Sequence, residues 1–341
     1  MISWRRRIIF SLILVILILS VVFFIGEILI RIISPQPYMY PRWEFSNRYG
    51  NMLFADSTMI NECPGRWRYV YTINSYQYRG KAVPISNVYS KKNIVVLGDS
   101  YSFGQGVNDG YEYPAVIAGR LKDGFDVVNL SVGGWGLTQE IRRFYEFGQL
   151  YNPRFVILQF CSNDPADNFV NAVTTVENDR FVFRDSNSTI NWIKKYMSRS
   201  IAQKSQIYNL FRNRMYQYFS KKIRDEAKAS YETRMDAADP APAEEKYYCK
   251  LLELFAKDLN KKGIELIFIS VNGQLDQFKK IKSIVLDLDA RGELHYIDIG
   301  PWFTESKKEG VDLTSPEGHA WNEKAHRILG ERLSEVIKTL N

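Results

Sequence analysis

The sequence predicts a three-layer, doubly wound α/β domain built on a mostly parallel five-stranded sheet, preceded by a transmembrane helix and interrupted by a helical insertion. Three observations carry that prediction. Five short runs, apolar on both faces, alternate with helical stretches between residues 92 and 300, the pattern of parallel strands covered by helices on both sides. The third and fourth runs lie about a hundred residues apart, far more than one crossover needs. Residues 8 to 26 carry no charge at all.

That first stretch is almost entirely Ile, Leu, Val and Phe from Ile8 to Gly26. At a helical rise of about 1.5 Å per residue it nearly crosses a hydrocarbon core of about 30 Å. Residues 27 to 33 (EILIRII) extend it into the interface, and apolar residues all round set it apart from a buried core helix. Arg5, Arg6 and Arg7 hold the N-terminus in the cytoplasm, which places everything after Pro35 outside a plasma (inner) membrane crossed once. The run is longer than the roughly 7 to 15 residues of a signal peptide, and no small-x-small cleavage site follows it. It reads as an uncleaved anchor over residues 1–34.

Residues 35–91 are rich in Pro, Tyr, Asn and Arg and read as a coil-rich extracytoplasmic lead-in with short strands around Trp67 to Ile73. The α/β domain then occupies 92–341. Its runs are Asn93 to Leu97, Asp126 to Leu130, Arg154 to Phe160, Glu265 to Val271 and His295 to Ile299, with helical stretches at 111–122, 137–150 and 246–261. Residues 165–245 form the inserted cap, ending in a linker-like AADPAPAEE at 237–245. This is a doubly wound sheet of the flavodoxin-like kind.

Composition narrows the function classes. The formal charge of +7 includes Arg5, Arg6, Arg7 and Arg31 against Glu27, and the remainder is spread too thinly to argue for a nucleic-acid partner. Cys63, Cys161 and Cys249 show no CxxC spacing, so a structural zinc site is not expected and at most one disulfide can form. No motif calls for a cofactor.

Ligands of open parallel sheets bind beyond the carboxyl ends of the strands. After the first run comes Gly98-Asp-Ser100-Tyr-Ser-Phe-Gly104, after the second Asn129-Leu-Ser-Val-Gly-Gly134, after the third Cys161-Ser-Asn163-Asp164, and near the C-terminus Glu317-Gly-His319-Ala-Trp-Asn322. This ordered set resembles the SGNH or GDSL hydrolase superfamily, in a membrane-anchored bacterial form. The resemblance covers about 93–160 and 246–340, and LGDSYSFGQGV at 97–107 is its most specific part. Chemically, a serine hydroxyl needs a base to take its proton, and the resulting oxyanion needs preorganised donors. Ser100, at a strand-to-helix turn, presents both a hydroxyl and its own backbone N–H. The resemblance implies that Gly134 adds a second N–H, Asn163 a side-chain amide, and His319 the general base and then the general acid.

Two positions depart from the family pattern. Pro316 stands where an aspartate usually precedes the histidine by three, so Glu317 or Asp312 orients His319, or the site is a Ser-His dyad. Cys161 replaces the glycine that usually opens the third block and reads as a small buried residue. Of the other histidines, His295 opens a strand and His326 lies inside the last helix, both structural.

The insertion holds nine Lys or Arg and no acid between Lys194 and Arg224, interleaved with aromatic residues. It is either a solvated helical face or a surface for anionic lipid headgroups or an acidic glycan. The expected activity is hydrolysis of acyl esters, chiefly acetyl, on a surface polysaccharide or glycolipid. An O-acetyltransferase using the same residues, and a catalytically silent glycan-binding scaffold, are the alternatives.

Overall fold

The computed structural model describes residues 4–87, 90–185, 200–232, 242–318 and 321–341. Helix α1 (Trp4–Ile33) is uncharged from Ile8 to Gly26 and none of its residues is buried, so it is not a core helix. Its length and composition fit a membrane anchor or a signal peptide.

The lead-in is more regular than its composition suggests. Strands β1 (Tyr38–Tyr40), β2 (Glu44–Ser46), β3 (Gly50–Met52), β4 (Ser57–Cys63) and β5 (Trp67–Ile73) form an antiparallel sheet β1-β4-β5 and a β2-β3 hairpin. On β4 the buried residues are Met59, Asn61 and Cys63, the period of two expected of a half-covered strand. Tyr71, Ile73, Met59 and Met52 share one core with Phe103, Val132 and Trp135 of the α/β domain, so the lead-in is packed onto that domain.

The central sheet uses β6 (Lys92–Leu97), β7 (Phe125–Asn129) and β8 (Pro153–Phe160). After an intervening hairpin of β9 (Thr174–Glu177) and β10 (Arg180–Phe183) come β11 (Glu265–Ser270) and β12 (His295–Ile297). The five strands are parallel in the order β7-β6-β8-β11-β12. The helices that follow α1 are α2 (Ser100–Phe103), α3 (Tyr113–Arg120), α4 (Leu137–Glu146), α5 (Asp164–Val170), α6 (Gln206–Glu232), α7 (Ala243–Lys261), α8 (Lys279–Ala290), α9 (Gly300–Lys308) and α10 (Glu323–Leu340). Val95 and Leu97 of β6 pack with α4, α7 and α8, while Ile94 and Val96 pack with α3 and α10. Burial on both faces explains the uninterrupted apolar runs. The chain reverses its direction of sheet growth between β6 and β8, and that switch point opens a crevice at their carboxyl ends.

The insertion is not wholly helical. Its β9-β10 hairpin turns at Asn178 and Asp179, both in the left-handed region at φ +50° and +54°. Such a turn suits asparagine and aspartate, whose short side chains tolerate positive φ. Of the expected linker, residues 237–241 lie outside the described residues, and α7 already begins at Ala243.

Helix α6 is tied to α1. The Glu27 carboxylate accepts from the backbone N–H groups of Gln206 (2.7 Å) and Ile207 (3.1 Å) and from the Ser205 hydroxyl (3.0 Å). These are N–H groups that a helix start otherwise leaves unpaired. Gln206 and Gln36 also exchange side-chain and backbone hydrogen bonds in both directions.

Candidate active site

Ser100 is the first residue of the one-turn helix α2, directly beyond β6, and is nearly buried. Three local features fix that turn. Gly98 sits at φ +155°, and a Cβ there would lie 2.6 Å from Ser102 Oγ and 2.7 Å from Gln159 Oε1, so no side chain fits. The Asp99 carboxylate accepts from the Tyr101 N–H at 3.0 Å and caps the turn. The fully buried Arg79, from the lead-in, donates to the carbonyls of Phe103 (2.9 Å), Gly104 (2.6 Å) and Val107 (2.8 Å), with Asp109 and Glu112 balancing its charge.

The loop after β7 lies against this turn, since the Val132 N–H donates to the Gly98 carbonyl at 3.2 Å. A tight turn closed by Trp135 N–H to Val132 O carries Gly134 at φ +76°, with open space where a Cβ would stand. The Trp43 ring covers Gly133 and meets Phe103 edge-on.

After β8, Asn163 precedes α5 and its Nδ2 donates to Asp167 Oδ2 at 2.6 Å, which fixes the plane of the amide. Its neighbour Cys161 is buried, and its Sγ and the Ser162 N–H both donate to Gln274 Oε1. Burial, reinforced by Asp99 and Asp164, pushes the Cys161 thiol far above the usual range, so it is no thiolate nucleophile. Glu140 and Asp164 are fully buried beside Asp99, and burial followed by that charge pushes both carboxyls well up. Burial thus favours the protonated form of both carboxyls behind the turn that carries Ser100.

The fourth block begins at an antiparallel bridge between Thr314 and Trp321, and Trp321 meets Tyr101 edge-on at 4.8 Å. His319 lies outside the described residues. Glu317 is half-buried, and its Oε2 accepts from Asn61 Nδ2 of β4 at 2.9 Å. The same amide donates to the Tyr71 hydroxyl at 3.2 Å, which also accepts from the Gly106 N–H at 3.1 Å. Burial pushes the Tyr71 pKa up to about 12, so it stays a neutral phenol beside this carboxylate. Asp312 is exposed, and its carboxylate accepts from the Thr314 N–H in a local turn. The other two histidines are engaged elsewhere. His295 Nε2 meets Glu265 at 2.8 Å, while buried His326 accepts from the Tyr113 N–H through Nδ1 and is held neutral, its pKa lowered to about 3 by burial and then by Arg79.

Ser100, Gly134 and Asn163 thus stand beyond the carboxyl ends of three adjacent strands, with Glu317 reached from the lead-in. Sequence reasoning missed Asn61, Tyr71, Arg79, Trp43 and Asp167. An asparagine on the apolar face of a strand was the available sign for Asn61, and nothing in local spacing marks the others. Beside the Ser315–Gly318 turn runs an open groove of about 900 Å³, whose lining includes Tyr69, Gly106, Tyr111, Pro316 and Asn322.

The sequence pattern of the family described as GDSL-like lipase/acylhydrolase matches residues 94–333. No curated protein matches the chain significantly. Similar solved structures include the psychrotrophic esterase EstA from Pseudoalteromonas sp., at 12% identity over 73% of this chain and 98% of that one with a TM-score of 0.43. Another is the acetylxylan esterase Axe2 from Geobacillus stearothermophilus, at 12% identity over 71% and 92% with a TM-score of 0.41. A third is a carbohydrate acetylesterase family member from Sinorhizobium meliloti, at 11% over 73% and 98% with a TM-score of 0.38. The family match over most of the domain, on a five-stranded parallel sheet that carries the GDS turn at its switch point, makes this chain a member of the GDSL-like lipase/acylhydrolase family and an SGNH-type ester hydrolase.

Proposed function

We propose that this chain is a single-pass, membrane-anchored esterase that removes acetyl groups from a polysaccharide or glycolipid outside the membrane. The observation that carries the reading is the placement of Ser100, Gly134 and Asn163 beyond the carboxyl ends of three adjacent strands, with a carboxylate, Glu317, held by Asn61. Ser100 Oγ attacks the ester carbonyl while His319 takes its proton. The oxyanion accepts hydrogen bonds from the N–H groups of Ser100 and Gly134 and from the Asn163 amide. Collapse expels the sugar oxygen, which leaves with the proton from His319. Water, deprotonated by His319, then hydrolyses the acyl-Ser100 ester. Glu317 accepts the other imidazole N–H and stabilises the imidazolium. Its anchorage supports this role over Asp312, whose carboxylate already serves a local turn.

A groove flanked by Tyr69 and the half-exposed Tyr111 supports a glycan substrate, because aromatic rings stack on sugar faces. Retention of α1 is supported by Glu27, since cleavage after it would strip α6 of its cap. The test is release of acetate from an O-acetylated oligosaccharide by the full chain and by Ser100→Ala. Release by the wild type alone is expected. Equal release by both proteins refutes the nucleophile, and no release by either refutes the substrate class.

A further inference from the structure

Among the described residues, none covers one face of helix α6. Phe211, Met215, Tyr218 and Phe219 are all exposed, Phe211 and Tyr218 by about two thirds. At 100° per residue they fall within one stripe about 100° wide, the spacing i, i+4, i+7, i+8 of an amphipathic helix. Arg214, Lys221 and Lys222, also exposed, flank or continue that stripe, with Lys222 in a loose exposed pair with Glu226 at 3.9 Å. Arg212 on the neighbouring face donates to the amide oxygens of Gln203 and Asn213 rather than to a carboxylate. A monomer in water gains nothing from holding Phe and Met outward in one row.

The position of the helix says what covers that row. The uncharged stretch 8–26 of α1 is about 28 Å long, so Glu27 marks the outer edge of the hydrocarbon. Glu27 is also the residue that caps α6, and a Cβ on Gly26 would touch Ile207 at 3.3 Å. Helix α6 therefore starts at headgroup level, and its first exposed residue, Phe211, comes less than two turns later.

We propose that α6 lies in the outer membrane–water interface, burying Phe211, Met215, Tyr218 and Phe219 among the upper acyl chains while Arg214, Lys221 and Lys222 bind lipid phosphates. This rests on the reading of α1 as an uncleaved anchor. It favours lipid over an acidic glycan because the row begins at the level of Glu27, where the hydrocarbon ends, and an interfacial helix uses Phe and Met there. Because α6 packs on α5, the helix that begins beside Asn163, the candidate site is held close above the bilayer and its substrate is presented at that surface.

The full chain is reconstituted in vesicles containing anionic phosphatidylglycerol, with an environment-sensitive fluorophore on a cysteine introduced by Met215→Cys or Phe219→Cys. The native thiols are buried and do not compete. Leu150→Cys, at the opposite end of the sheet, and Leu17→Cys in α1 serve as references. Shallow spin-labelled lipids should quench positions 215 and 219 at least twofold, deep ones position 17, and both should leave 150 unchanged. Replacing the anionic lipid with phosphatidylcholine, or applying Arg214→Gln with Lys221→Gln and Lys222→Gln, should reduce that quenching. Quenching at 17 but not at 215 or 219 overturns the proposal and leaves the anchor standing. No quenching at any position overturns both. Protection of 215 and 219 by soluble alginate, with no lipid quenching, overturns it in favour of a glycan surface.

Discussion

The turn that carries Ser100 is set by backbone and neighbours rather than by the serine itself. The Gly98 conformation, the Asp99 cap and the Arg79 grip set the turn, and none of them needs the serine hydroxyl. Ser100→Ala should therefore abolish ester turnover and fluorophosphonate labelling while leaving the melting temperature within about a degree or two. Residual labelling of the variant would place the nucleophile elsewhere. Glu317→Gln should lower turnover by about 10² to 10⁴-fold, as when a catalytic histidine loses its orienting charge, and Asp312→Asn should change it little. Asn61→Ala should follow Glu317→Gln in direction, reducing kcat by about ten- to a hundredfold at unchanged KM, the worth of one hydrogen bond to a charged group. If Asn61→Ala keeps a normal kcat, the carboxylate does not depend on the lead-in. Asn163→Ala should cost about 10²-fold in kcat and Asp167→Ala less, since the second only frees the amide plane.

At the scale of elements, what could be read from the sequence tracks how completely an element is buried. All five sheet runs lie within one or two residues of strands β6, β7, β8, β11 and β12, because burial on both faces demands unbroken Val, Ile, Leu and Phe. The motif-bearing turns followed from those strands. The lead-in strands were mostly hidden, because their buried positions mix Asn61, Tyr69 and Tyr71 with apolar residues. The β9-β10 hairpin had a readable sign in Asn178-Asp179 between Val and Phe, overlooked because the basic segment beyond it reads as helix. Packing between elements also fixes charge states that no spacing reveals. His326, between α3 and α10, has a folded pKa of about 3 against about 6.5 unfolded, so its contribution is fully present above pH 6.5 and is lost as pH falls towards 3, at up to about 1.4 kcal/mol per pH unit. Glu140 on α4 acts oppositely. Its pKa is raised, so wild-type stability falls as pH climbs above the unfolded value of about 4.3. Thermal melts from pH 4 to 8 should show Glu140→Gln gaining on wild type as pH rises, and His326→Asn losing less as pH falls. Parallel curves would mean that neither group is buried as described.

For the whole molecule, helix α1 and the α/β domain form one connected structure through Glu27, α6 and α5. Protein isolated from membranes should resist carbonate extraction and show an intact mass that includes residues 1–34. A mature N-terminus near residue 35 would make α1 a signal peptide. The same connectedness runs through the lead-in, where the Asn61–Glu317 bond joins residues 256 positions apart. Ribosomes add about 5 to 20 residues per second, so strand β4 emerges roughly 13 to 50 s before the carboxylate it is to hold. During that interval the GDS turn and the Asn163 loop can already fold on β6 and β8, but the acid is not yet in place. On the function proposed above, a chain in transit across the membrane is catalytically mute, and esterase activity begins only once its late segments have folded back onto its earliest strands.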